Sequence, residues 1–353
     1  MKGRELCKAY YESCIAPLLA EHFPDLSYTA GLLGYGSDVL GYDDEVSRDH
    51  MWGPRVYLFL REQDLYLSKE ILKVFARNLP YTFMGYSTNF DGEDTDGVRH
   101  PLFITQGEVS PLIWVQTIEQ YLQEQLHCND LREMDEYHWL ACSEHRLLSL
   151  KLAEFYRDDL RVSEYLQPIE YYPEEVRRYL IASCWDSIAS EQAFVKRCRQ
   201  AGDILGAHII CGRIAERLMR LCFLYKREYA PYSKWFGTAF MALDIPQSIK
   251  NAMQSLVSAV DTEEQEQALI AAQCAVAVLH NQSGLTPPIS CAPQSYYGRD
   301  ILVIFAERFS SAVQKSLTEL RNTPLIGSMS QLAGLSEFWD TPSHMEQIKG
   351  LYR

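Results

Sequence analysis

The chain of 353 residues carries 47 acidic against 33 basic side chains, a formal net charge of -14, with 47% hydrophobic and 23% charged residues. That composition excludes a disordered or fibrous protein, and the acidic surplus argues against a wide nucleic-acid surface, which needs Lys and Arg concentrated on one face. The length exceeds what one hydrophobic core usually fills, so two domains are expected.

No segment reaches about 18 consecutive apolar residues, and the opening MKGRELCKAYYESC lacks the apolar core of a signal peptide, so a cytoplasmic protein without a membrane span is expected. The ten cysteines form no CxxC pair and no zinc-site spacing, which predicts free thiols. Cys211 and Cys222 stand among apolar residues of helix-like segments and read as small buried hydrophobes.

In chain order, Leu6, Ala9, Tyr10, Ile15, Leu18 and Leu19 recur at helical spacing and predict a helix over 4–22, with Pro17 an awkward insert. Strands are expected over 29–33 and 56–60, and a helix over 68–78 opened by Ser68 with Glu70 two residues on. A Gly- and Asp-rich loop then leads to a short apolar run at 101–105 that could add a strand. These elements make a small α/β domain, placed at 1–135.

Beyond Trp139 strand signals fade. Helices are predicted over 139–157, 173–200, 203–229, 245–281 with a break, 296–322 and 328–350, with a loop at 281–293. Glu174 and Glu175 early in one helical segment, and Lys196, Arg197 and Arg199 late in it, suit a helix dipole. The second domain, 136–353, is expected to be a helical bundle, and the fold class as a whole α+β.

Between the first two strands the chain carries five carboxylates in a twelve-residue stretch: Asp38, Asp43, Asp44, Glu45 and Asp49. Gly36-Ser37 ahead of them offers close backbone approach and a hydroxyl, both suited to a phosphate oxygen, although such pairs are also ordinary turn residues. An acidic residue leading into the next strand can hold a divalent cation against that phosphate.

Three segments carry a resemblance: GSDVLGYDDEVSRDHMWGPR (36–55), YPEEVRRYLIASCW (172–185) and ERLMRLCFLYKREYAPYSKW (216–235). The first resembles the nucleotidyltransferase-fold superfamily, and the three together are similar to bacterial proteins with domain of unknown function 4037. The resemblance implies a nucleotidyltransferase-like mixed-sheet domain followed by a helical domain that binds substrate or regulates. It implies Gly36 and Ser37 at the terminal phosphates of a nucleoside triphosphate such as ATP, and Asp49 as the catalytic, metal-binding carboxylate for Mg²⁺ or Mn²⁺; Ser47, Arg48 and Arg55, in the same stretch, are further nucleotide-binding candidates. Where the superfamily has its second strand carboxylate, this chain has Met51, and a thioether cannot hold a hard cation.

Asp43, Asp44, Glu45, Glu108 or His50 are candidates to compensate, the loop carboxylates foremost. On a regular strand His50 points away from the face of Asp49 and Met51. Arg48 and Arg55 can stabilise a transferring phosphoryl group or neutralise the surrounding carboxylates. His50 and His100 also read as structural histidines. In the helical half, Arg213, Glu216, Arg217, Arg220, Tyr232 and Lys234 can form a wall over an anionic nucleotide or pack as an ion-paired amphipathic face. Asp203 after Gly202 reads as a helix N-cap before it reads as a base.

The expected reaction is Mg²⁺-dependent transfer of a nucleoside monophosphate from a nucleoside triphosphate to an unknown acceptor, small molecule or protein. The alternatives are a degenerate nucleotide-binding regulator, an antitoxin-like protein that attaches AMP to a partner, and a helical scaffold with a vestigial first domain.

Overall fold

The computed structural model describes residues 1–34, 36–48, 51–95, 97–259, 262–333 and 344–353. Two compact units emerge: Met1–Glu133 with His145–Glu170, and Met134–Glu144 with Tyr171–Arg353. The class is α+β, with a mixed sheet in the first unit and a mainly helical second unit. Among the described residues no helix is long and apolar enough to cross a membrane.

The first unit opens with helix α1 (Gly3–Tyr10), a π-turn over Tyr11–Ile15 and helix α2 (Ala16–His22). Pro17 lies in the first turn of α2. Proline cannot donate to the preceding turn, and the wider π-turn before it absorbs the lost hydrogen bond while the helical path continues. Strand β1 (Thr29–Leu32) pairs antiparallel with β2 (Arg55–Phe59). After helix α3 (Ser68–Asn78) a small hairpin, β3 (Thr82–Phe83) with β4 (Tyr86–Ser87), precedes β5 (Leu112–Gln116), which runs parallel to β2. Helix α4 (Ile118–Leu126) follows.

The run 101–105, expected as a strand, makes only one isolated bridge, Phe90 to Pro101, and leaves Leu102 and Phe103 at least half exposed. It has no buried face to fix it in a sheet.

Helices α5 (Glu136–Ala141) and α6 (Glu144–Lys151) end before Glu154–Asp158, which is strand β6 rather than the continued helix expected through 157. Strand β6 pairs with the free edge of β1, and that pairing returns 145–170 to the first unit. The sheet order is β5-β2-β1-β6. Every residue of β1 and β2 is buried, because both faces of the sheet are covered. On one face Ala30, Val56 and Leu58 pack with Tyr10, Ile15, Ile71 and Phe75 of the helices. On the other, Tyr57 stacks on Trp114 at 4.6 Å and meets Tyr121 of α4 edge-on.

A short helix α7 (Val162–Tyr165) closes that unit. The second unit is built on α8 (Glu174–Glu191), α9 (Phe194–Gln200), α10 (Ile204–Lys226), α11 (Ser233–Ala242), α12 (Gln247–Ser258) and α13 (Thr262–Gln282). The segment 296–322, expected to be helical, begins instead with the second strand of a hairpin, β7 (Gln294–Ser295) with β8 (Leu302–Val303), and holds helix α14 (Glu307–Gln314). Helices α15 (Met329–Ala333) and α16 (Met345–Lys349) complete the described chain.

None of the cysteines of the described chain forms a disulfide. Burial pushes the thiols of Cys211 up to about 11 and of Cys222 up to about 12, so both behave as buried hydrophobes.

Candidate functional site

Four residues beyond the end of β1 lies a turn that only glycine can start. Gly36 has φ +129°, and a Cβ there would lie 2.4 Å from Asp38 Oδ1 and 3.2 Å from Arg55 Nη2. From Gly36 the backbone coils tightly: Tyr42 N donates to Ser37 O at 2.8 Å and Gly41 N to Asp38 O at 3.0 Å. Ser37 is largely buried in this turn.

Beneath the turn lies a buried ion pair. Arg55 Nη2 donates to Asp38 Oδ1 at 2.9 Å, with the two side chains 3% and 1% exposed. Arg55 Nη1 donates to the Met51 carbonyl at 3.0 Å, and Asp38 Oδ1 also accepts from Val39 N at 2.9 Å. Arg55 thus neutralises a loop carboxylate, one of the two roles open to it in the sequence. Below the pair, burial pushes the Cys7 thiol up to about 12, against the opposing pull of Arg55.

Asp43 serves the start of α1. Its Oδ2 accepts from Gly3 N at 2.8 Å and from Trp52 Nε1 at 3.1 Å, and Lys2 Nζ stands 3.5 Å from Oδ1. This buried carboxylate satisfies an orphan N–H of the first helical turn, the task of an N-cap performed from 40 residues along the chain. Its placement makes it an anchor rather than a ready metal ligand. Asp44 Oδ1 accepts from Val46 N at 3.1 Å and Ser47 N at 2.8 Å, closing an Asx-type turn at the surface. Glu45 is exposed and Ser47 buried. Arg48 donates to the Met1 carbonyl at 3.0 Å and lies 4.5 Å from the Trp52 ring centre.

Asp49 and His50 lie outside the described residues. Met51 takes φ +45° and packs with Phe90 and Leu112 in an apolar cluster. Strand β2 begins only at Arg55, so the regular alternation expected through 49–51 does not govern Met51. Strand β5 carries no carboxylate, and Glu108 is held at the surface by Arg77 at 2.8 Å. His100 pairs with Asp94 at 3.1 Å. Among the described residues no group of three His, Cys, Asp or Glu side chains stands together for a metal ion.

In the second unit each of the three arginines of the expected wall is paired with a carboxylate. Arg213 bonds Glu191 across to α8, through Nε at 3.0 Å. Arg220 bonds Glu216 at 2.9 Å and Glu144 at 3.2 Å, and its guanidinium faces the Phe236 ring at 5.1 Å. Arg217 lies 3.5 Å from Glu216 and donates to the Gln331 carbonyl. Arg213 therefore faces α8, while Arg220 bridges Glu216 and Glu144. Trp235 Nε1 donates to the Tyr232 hydroxyl at 3.1 Å, and Lys234 lies 5.2 Å from the Trp235 ring centre. Asp203 is the N-cap of α10, accepting from Gly206 N at 2.8 Å.

Lys2, Gly3 and Trp52, which fold the acidic loop onto α1, carry no sequence signal of that role. Their partners are distant in the chain, and Trp52 alone, beside Gly53 and Pro54, marks a buried turn.

Residues 139–236 match the model of the family described as domain of unknown function DUF4037. Two of the three resembling segments, 172–185 and 216–235, lie within that match, and the Gly-Ser segment lies outside it. A crystal structure of a nucleotidyltransferase-like protein from Exiguobacterium sibiricum 255-15 is similar over 82% of each chain, with 11% identity and a TM-score of 0.35. No curated protein matches the chain.

Proposed function

We propose that the first unit binds the phosphates of a nucleoside triphosphate at the Gly36-Ser37 turn and that the protein moves a nucleoside monophosphate from it to an acceptor. The observation that carries this reading is the glycine-only turn beyond the end of β1, set directly over the buried Arg55 guanidinium. Backbone that can approach a ligand this closely, on a turn held from behind by the neutral Asp38–Arg55 pair, suits phosphate oxygens. Asp49 is the carboxylate assigned to Mg²⁺ or Mn²⁺. The described carboxylates do not complete a set for that ion: Asp43 is committed to α1, Asp44 to its own turn, and Met51 is a thioether.

A second reading, nucleotide binding without turnover in a regulator, is favoured by Met51, which is buried among apolar side chains where the superfamily has a carboxylate. Titration calorimetry of the full chain with ATP, GTP, CTP and UTP, each with and without Mg²⁺ and repeated with a non-hydrolysable analogue, tests both. Binding that requires Mg²⁺ supports transfer, and metal-independent binding supports the regulator. Folded protein that binds none of the four would overturn both readings.

A further inference from the structure

The helical unit holds a cavity of about 740 Å³ bounded by the end of α8, by α9 and α13, and by the β7–β8 hairpin. That size lies within the range of small-molecule sites. Its floor is apolar: Leu269 and Ile301, each 4% exposed, back it, and Leu302, 56% exposed, supplies the accessible apolar area. Beside them Gln192 is buried with its amide engaged, Nε2 donating to Glu307 at 3.1 Å and Oε1 accepting from Ala306 N at 3.3 Å. The floor therefore offers a ligand surface contact rather than hydrogen bonds.

The rim is charged. Glu263, Glu266 and Asp300 line it against a single cation, Lys196, whose Nζ lies 3.1 Å from both Glu266 and Asp300. Glu266 is a quarter exposed and Asp300 almost wholly exposed. Surface ion pairs of this kind contribute about 0–1 kcal/mol, so an incoming ammonium can share or replace Lys196 at Asp300 at small cost. An anion would meet a surplus of carboxylates, and a polyamine would leave the apolar floor unused.

We infer that this cavity binds a small amphipathic amine, its ammonium at the Glu266 and Asp300 rim and its hydrocarbon or aromatic body on Leu302 and the edges of Leu269 and Ile301. The inference is independent of the nucleotide reading of the first unit and is tested without nucleotide.

The test is calorimetric titration of the full chain at neutral pH with 2-phenylethylamine, with 3-phenylpropionate as an anion of the same shape, and with spermine as a cation lacking an apolar body. The expected result is saturable binding of 2-phenylethylamine, with the other two at least about tenfold weaker. Asp300→Asn, at an exposed side chain that does not threaten the fold, and Glu266→Gln should each weaken it by about two- to fivefold. Undetectable binding of 2-phenylethylamine, equal binding of phenylpropionate, tighter binding of spermine, or an unchanged Kd in both variants would overturn the assignment.

Discussion

The Tyr225 hydroxyl stands 2.9 Å from Nδ1 of His280, at the centre of a buried hydrogen-bond chain in the helical unit. Trp185 Nε1 donates to the Tyr225 oxygen at 2.8 Å, and His280 Nε2 lies 2.9 Å from Thr286 Oγ1, whose proton goes to the Pro287 carbonyl. That direction fixes the tautomer. Thr286 can only accept from Nε2–H, so Nδ1 accepts from Tyr225. The chain ties α8 and α10 to α13 and to the loop after it, and Phe309 packs edge-on to the imidazole at 5.1 Å. A second ring proton would oppose the Tyr225 O–H, and burial holds the His280 pKa down to about 4.

Acid should therefore unfold this unit partly through His280. Its folded pKa of about 4 lies below the ordinary 6.5, so the unfolded chain takes the proton first as pH falls. The contribution is complete above the ordinary value and is lost towards pH 4, at a slope of up to about 1.4 kcal/mol per pH unit. Urea midpoints measured across this range for the protein and for His280→Gln should converge as pH falls. Parallel curves would show that His280 carries no such coupling.

Asp38 and Arg55 should behave as a unit. Asp38→Asn leaves a buried guanidinium without its counter-charge and is expected to cost about 3–5 kcal/mol in chemical denaturation. The double change Asp38→Leu with Arg55→Met should cost less than that single change, because no uncompensated charge remains. Additive losses would mean that the two groups do not depend on each other.

Asp43→Ala should loosen the N-terminal helix selectively. It removes the acceptor for Gly3 N and Trp52 Nε1, a loss of about 1–3 kcal/mol for the groups left unsatisfied. Asp44→Ala, on an exposed turn, should cost about 1 kcal/mol or less. Hydrogen exchange would report the contrast as faster exchange over α1 in the first variant alone. Equal protection in both would remove the anchoring role.

The sequence is legible where a signal is local. Strands β1 and β2 stand out as apolar runs flanking a polar loop, and Asp203 reads as an N-cap because the hydrogen bond it makes is three residues away. Strand β5, LIWVQ, passes unnoticed because its short apolar run has no polar alternation to detect, and β6 because five residues after a helix are too few to establish a period. The acidic loop is harder still. Its charge count suggests ligands, yet Asp38 and Asp43 are used up by Arg55 and by the start of α1, partners 17 and 40 residues away. Whether Met51 sits on a strand depends on its φ of +45°, which a methionine does not announce.

Met51→Asp separates residue type from residue position. From sequence alone, the change restores a carboxylate two residues after Asp49 and should strengthen Mg²⁺ binding. The structure predicts otherwise, because position 51 is 8% exposed, left-handed in backbone, and enclosed by Phe90 and Leu112. A carboxylate buried there without a partner should cost several kcal/mol or stay protonated, in the manner of an unpaired charge in an apolar site. Left-handed backbone tolerates Asp better than Met, which offsets only a small part of that loss. Urea denaturation with and without Mg²⁺ decides the matter. A variant that is destabilised and gains nothing from the ion supports the buried position, whereas one that regains its stability only in Mg²⁺ would mean that this segment turns outward to form a metal site.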